Sequence, residues 1–138
     1  MLKRAGVSQK DLQQYYVSVI RPTTEFACQV WHSSLTVKQS DLLESIQKRC
    51  LRLIFPESNY EEALLHSYLP SLHERRQILC KRLFEQMNND NHKLYHLLPQ
   101  KTDHHYETRQ QQQQFQKMQC RTVRYEKTFV PYCLKNFM

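Results

Sequence analysis

Apolar residues recur every three or four positions over most of residues 8–98, which is the spacing of amphipathic helices. Ser8 is a suitable N-cap, with Asp11 at the third helical position, where a capping box has its acidic or amide residue. The apolar positions of this first helix are Leu12, Tyr15, Tyr16, Val19 and Ile20. Pro22 ends the helix or lies in the first turn of the next one. A second, shorter apolar segment consists of Phe26, Ala27, Val30 and Trp31.

The third helix has the clearest pattern, with Thr36 as its predicted N-cap and Pro56 as its end. Its apolar positions are Leu42, Leu43, Ile46, Cys50, Leu51, Leu53 and Ile54. Polar and charged residues are predicted to cover the opposite face, namely Lys38, Asp41, Glu44, Gln47, Lys48 and Arg49. Because both classes recur at helical spacing, the pattern predicts one buried face and one solvated face.

Two further helices follow. Ser58 or Asn59 caps a short helix that ends at Pro70, and Ser71 with Glu74 forms a capping box for a fifth. The fifth helix has an apolar side of Leu72, Ile78, Leu79, Leu83, Phe84 and Met87. A short sixth helix is predicted over 92–98. Gly6 is the only glycine, which disfavours tight hairpins and glycine-rich phosphate loops.

The chain changes character after Pro99. Residues 100–119 are polar, with five consecutive glutamines at 110–114, and this composition is typical of disorder or a linker. Order is predicted to return over 124–137 as a strand or a short helix. The predicted organisation is an all-α bundle of five or six short helices (1–98), followed by a partly disordered, basic, Gln-rich tail (99–138) whose end is ordered.

The predicted core combines the third helix with neighbouring apolar positions. It consists of Leu42, Leu43, Ile46, Cys50, Leu51, Ile54, Leu64, Leu79, Leu83 and Trp31. Tyr16, Phe26 and Trp31 are expected to pack against the third helix.

The net charge is +7, and it is denser in the tail, where 7 basic residues face 3 acidic ones. Such a balance favours polyanions such as nucleic acid. The five cysteines are dispersed, and no apolar run approaches the roughly 20 residues that span a membrane. We therefore expect reduced cysteines, no membrane partner and a nuclear or cytoplasmic location.

The sequence gives only weak signals for a metal-binding or catalytic site. His92, His96, His104 and His105 would bind a metal only if they converged, and no Cys-x-x-Cys pair is present. The acidic residues are dispersed, which does not suit two-metal phosphoryl transfer. We therefore predict no catalytic residue, metal or cofactor.

Basic residues cluster in three places and alternate with aromatic residues in the tail, which suits backbone neutralisation and base stacking. The candidate nucleic-acid-binding residues are Lys48, Arg49, Arg52, Arg75, Arg76, Lys81, Arg82, Arg121, Arg124 and Lys127. The alternative interpretation is a solvated helix surface, which is slightly favoured for the third helix and about even for the other two clusters.

Four segments in this order, 12–31, 42–56, 60–76 and 120–131, resemble the C-terminal, thumb-side region of non-LTR (LINE-type, jockey-like) retrotransposon reverse transcriptases. The matching residues are Tyr16, Arg21, Pro22, Cys28, Trp31, Gln47, Lys48, Arg49, Arg75, Arg76, Arg121 and Arg124. The resemblance implies helices beside a primer–template duplex and a tail that adds basic contacts. Residues 106–109 read Tyr-Glu-Thr-Arg, with Thr108 where the family often has Leu in a Tyr-x-Leu-Arg motif. The catalytic Tyr-x-Asp-Asp motif is absent.

By this resemblance the chain is a non-catalytic nucleic-acid-binding fragment of an RNA-directed DNA polymerase. It would bind the backbone of RNA or an RNA–DNA hybrid with low specificity, and the polymerase palm would be a further partner. The alternatives are a helical protein-interaction module, recognisable by an apolar stripe left exposed after packing, or a functionless remnant of a truncated retroelement.

Overall fold

The computed structural model describes residues 6–101, 115–116 and 118–138. This part of the chain is mostly helical and contains no sheet, which confirms the predicted all-α class. An isolated antiparallel bridge joins Lys101 to Phe115. Most of the predicted Gln-rich segment, 102–114, lies outside the described residues.

The helices are short, apart from two of four to five turns. In chain order they are α1 (Gln9–Tyr15), α2 (Arg21–Glu25), α3 (Cys28–Trp31), α4 (Val37–Ile54), α5 (Tyr60–Ser67), α6 (Leu72–Met87), α7 (Val123–Glu126) and α8 (Phe129–Asn136). A π-helical turn, Tyr16–Ile20, joins α1 to α2, and 3₁₀ turns cover His32–Ser34 and Tyr95–Leu97. None of the helices in the described ranges combines the length and apolar character that a membrane crossing requires.

The contacts divide the chain into two compact units. One comprises residues 1–28 and 35–77, and the other comprises 29–34 and 78–138. The predicted division after Leu98 stays a prediction. The predicted helix over 92–98 is only the 3₁₀ turn Tyr95–Leu97.

The predicted helix starts are confirmed. Ser8, Thr36, Asn59 and Ser71 each accept a hydrogen bond from the backbone N–H three residues ahead, so they cap α1, α4, α5 and α6. In α4, α5 and α6, the side chain of the residue three positions after the cap also accepts a hydrogen bond from the backbone N–H of the cap. This second bond completes a capping box. Pro22 lies in the first turn of α2, where its missing N–H costs little.

The first unit's core forms where the π-helical turn, α4 and α5 meet. Tyr16, Leu51, Ile54 and Ala63 are buried there, and partly buried apolar side chains surround them. Burial of Leu51 and Ile54 confirms two predicted core residues.

Two other predictions for α4 are wrong, since Leu42 and Ile46 are exposed. The apolar residues of α4 occupy two faces, and only the face carrying Leu51 and Ile54 is buried. Gln47 belongs to that buried face, although its polarity predicted a solvated position. Phe26 is 80% exposed, so its expected packing on the third helix is also wrong.

The second unit has its own core of Phe84, Phe115 and Cys133. Side chains from α8, including Phe129 and Leu134, pack against it. His32 and Tyr132 meet edge to face in the same unit, with ring centroids 5.7 Å apart. Near the end of the chain, where the sequence predicted a strand or a short helix, the structure has the short helices α7 and α8.

Candidate nucleic-acid interface

The cations at the end of α4 are the most accessible part of the predicted site in the first unit. Lys48, Arg49 and Arg52 are all exposed. None of the three forms an ion pair within the described part of the chain. Their charge is therefore available to an external anion.

Lys48 and Arg52 are one helical turn apart and line the same cavity. The cavity has a volume of about 400 Å³ and lies between the end of α4 and the start of α5. Its other lining residues are Pro56, Glu57, Ser58, Asn59, Tyr60 and Ala63. The Lys48 Nζ lies 5.1 Å from the centroid of the Tyr60 ring, which gives a cation beside an aromatic surface. Because two cations outnumber the single Glu57 carboxylate, the cavity favours anions.

The two arginines at the start of α6 have structural roles. Arg76 is fully buried, and its Nη2 donates to the Ser40 hydroxyl at 2.9 Å. The Nε of Arg75 lies 3.4 Å from the Glu25 carboxylate, which also pairs with Arg21. The structure therefore removes Arg76 from the accessible site and partly neutralises Arg75.

The second unit contains the remaining candidate residues, all of them exposed: Lys81, Arg82, Arg121, Arg124 and Lys127. Lys81 lies 3.9 Å from Glu85, a surface pair of little energetic consequence. Arg124 lies on α7 and Lys127 caps its end, where the Lys127 carbonyl accepts a hydrogen bond from Ser33. The neighbouring Glu126 is paired with Lys135, which lowers the pKa of that carboxyl.

A buried polar network lies beside the cavity, and the sequence pattern did not reveal it. The Tyr16 hydroxyl donates to Gln47 Oε1 at 2.6 Å. Gln47 Nε2 donates to the Tyr60 hydroxyl at 3.1 Å and to the Pro70 carbonyl at 3.0 Å. The Tyr60 hydroxyl in turn donates to Glu44. The network thus connects the π-helical turn, α4 and α5.

Glu44 extends this network to α6. Its carboxylate oxygens accept the backbone N–H groups of Leu72 and His73, each at 3.2 Å, at the positive end of the α6 dipole. Periodicity assigned both Glu44 and Gln47 to the solvated face, so the sequence contained no signal for these roles. With its acceptors occupied by internal donors, this carboxylate is a structural group.

The histidines do not form a metal centre within the described ranges. His92 accepts a hydrogen bond from the Leu94 N–H, and His96 contacts the Lys93 carbonyl, so each is engaged locally. No group of three or more potential ligands occurs among the residues that the structure describes. His104 and His105 lie outside them.

No protein-family model, curated protein or solved structure matches this chain.

Proposed function

We propose that this chain is a non-catalytic nucleic-acid-binding protein, similar in role to the thumb-side region of a retrotransposon RNA-directed DNA polymerase. The observation that supports this most is the pair of exposed cations, Lys48 and Arg52, beside an anion-favouring cavity. Phosphate oxygens are the ligands that such cations bind in polyanions. Arg49, and five exposed cations in the second unit, add to the same charge.

The expected ligand is the backbone of RNA or an RNA–DNA hybrid, bound with low sequence specificity. Contacts between cations and phosphate oxygens hold the protein on the nucleic-acid backbone. They do not distinguish one base sequence from another. Affinity is then set by charge, and the expected dissociation constant is about 10⁻⁴–10⁻⁶ M at physiological salt. The palm of a polymerase would be a further partner, and the five free cysteines suit a nuclear or cytoplasmic location.

The test is binding of the full chain to a labelled RNA–DNA hybrid across a salt series. We expect log affinity to fall linearly with log salt concentration. Replacing Lys48 and Arg52 by Gln should make that slope less negative by about 2, at roughly 0.9 per phosphate on a duplex. The matched control is Lys10→Gln with Lys93→Gln, which removes the same charge from exposed positions elsewhere. Equal effects of the two pairs would reduce the proposal to non-specific charge attraction, and no binding at low salt would reject it.

A further inference from the structure

One face of α4 carries three exposed aliphatic side chains in a row. Leu42, Ile46 and Leu53 are 63%, 39% and 57% exposed. Together with Arg49 they follow intervals of four, three and four residues, which places all four within about 60° around the helix axis. The row is about 16 Å long at roughly 1.5 Å per residue. We call these four residues the α4 stripe.

The α4 stripe is separate from the two faces of α4 already described. Gln47, Leu51 and Ile54 face the core, whereas Lys48 and Arg52 line the cavity. Removing three large aliphatic side chains from water on binding would be favourable. Contiguous exposed apolar patches are typical of surfaces that bind another molecule.

The charges around the α4 stripe indicate which kind of molecule this is. The exposed ionisable residues of α4 are Lys38, Asp41, Lys48, Arg49 and Arg52, four cations and one carboxylate. The Glu44 carboxylate is engaged by the backbone of α6 and by Tyr60. A second copy of this chain would bring the same cations together, so an acidic partner is electrostatically complementary and a homodimer is not.

We propose that the α4 stripe docks an acidic amphipathic helix of a partner protein, with aliphatic residues spaced by three and four and flanked by Asp or Glu. Helical side chains at this spacing interdigitate with a matching row. Arg49, in the middle of the row, would pair with a partner carboxylate. A row this short buries less than the roughly 800 Å² per partner of a standard interface, so the complex is transient. This inference does not rest on the proposed nucleic-acid role.

The test uses the full chain and three synthetic peptides of roughly 18 residues, long enough to form helix. The first has Leu at the matching positions flanked by Glu, the second has the same Leu flanked by Lys, and the third has Glu without Leu. Fluorescence anisotropy should detect binding of the first peptide and of neither of the other two. Equal binding of the second would overturn the charge argument, and equal binding of the third would overturn the apolar one.

Variants then locate the contact. Leu42→Ser with Ile46→Ser and Leu53→Ser should weaken binding of the first peptide more than about tenfold, as expected for buried interface anchors. These side chains are at least 39% exposed, so we expect only a modest loss of stability, and circular dichroism at the assay temperature should show that helix content is unchanged. The matched control is Leu65→Ser, a 75% exposed leucine on α5, which should bind as the unaltered chain does. Unchanged binding by the triple variant would overturn the proposal.

Discussion

At the scale of single residues, one buried amide connects most of the first unit. Gln47 is fully buried and makes three hydrogen bonds, to Tyr16, Tyr60 and Pro70. A buried amide is tolerated only when its donors and acceptors are satisfied, and here the geometry provides for that. The same contacts explain why a polar residue lies among Leu51 and Ile54.

Gln47→Leu should destabilise the protein by roughly 2–4 kcal/mol, because the buried Tyr16 hydroxyl would lose its acceptor and the Pro70 carbonyl would lose its donor. Urea unfolding measures the change. Gln14→Leu, at an exposed position on α1, is the control and should shift stability by less than about 0.5 kcal/mol. Similar midpoints for the two variants would mean that the network contributes nothing.

The tyrosines of this network should make the fold sensitive to alkali. Burial is the main cause that raises the pKa of Tyr16, and burial with the Glu44 hydrogen bond raises the pKa of Tyr60, both above the usual value of about 10. The unfolded chain would lose these protons near pH 10 while the folded chain keeps them. The stability that they contribute is therefore complete below pH 10 and is lost as the pH rises above it.

We expect the free energy of unfolding to fall above pH 10 by about 1.4 kcal/mol per pH unit for each of the two tyrosines. Absorbance at the phenolate band, followed alongside helix content, measures both events. Tyr16→Phe should make this slope less steep by about 1.4 kcal/mol per pH unit. Burial also raises the pKa of the Cys50 and Cys133 thiols, so part of the slope should remain after both tyrosines are replaced. Ionisation of all tyrosines near pH 10 with no loss of helix would contradict the expectation.

At the scale of helices, capping hydrogen bonds determine where the helices begin and how neighbouring helices are joined. Capping boxes start α4, α5 and α6, and the Glu44 carboxylate holds the first N–H groups of α6 against α4. The end of α5 is different, since Tyr68 adopts a left-handed conformation (φ 54°) that usually belongs to glycine. Its side chain is 93% exposed and contributes little packing that would offset the strain.

Tyr68→Gly should therefore stabilise the protein by about 0.5–1 kcal/mol, the relief of left-handed strain less the entropy that glycine adds to the unfolded chain. Thermal unfolding measures the gain. Tyr68→Ala is the control: it removes the ring but keeps the Cβ, so it should give no such gain. A larger effect of Ala than of Gly would show that the ring, and not the backbone, sets the cost.

At the scale of the whole molecule, the net charge is +7, but only some of the cations are accessible to a ligand. Arg76 is buried and Arg75 is paired with Glu25, whereas Arg82, Arg121 and Arg124 are exposed on the second unit. Long-range attraction of a polyanion depends on the total charge, but short-range phosphate contacts need accessible cations.

Arg82→Gln with Arg121→Gln and Arg124→Gln should weaken binding to RNA and to an RNA–DNA hybrid by similar factors, with a salt slope less negative by about 2–3. A melting temperature within about 2 °C of the original would exclude a folding effect. The control Arg75→Gln should instead lower stability, because Glu25 would lose one of its two partners. A selective loss for one nucleic-acid sequence would contradict backbone recognition.

The sequence by itself determined the helical class, the starts of α1, α4, α5 and α6, and the cluster of cations at the end of α4. Caps and three-to-four spacing are local properties, so residues within one or two turns suffice to predict them. Only the tertiary structure decided which face of α4 is buried, because both faces carry apolar residues. The choice depends on partners distant in sequence: Tyr16, Tyr60 and Pro70 satisfy Gln47, and this turns Leu42, Ile46 and Leu53 outward. A different long-range contact, from Arg76 to the Ser40 hydroxyl, accompanies the burial of that arginine, whereas Lys48 and Arg52 are exposed beside the cavity.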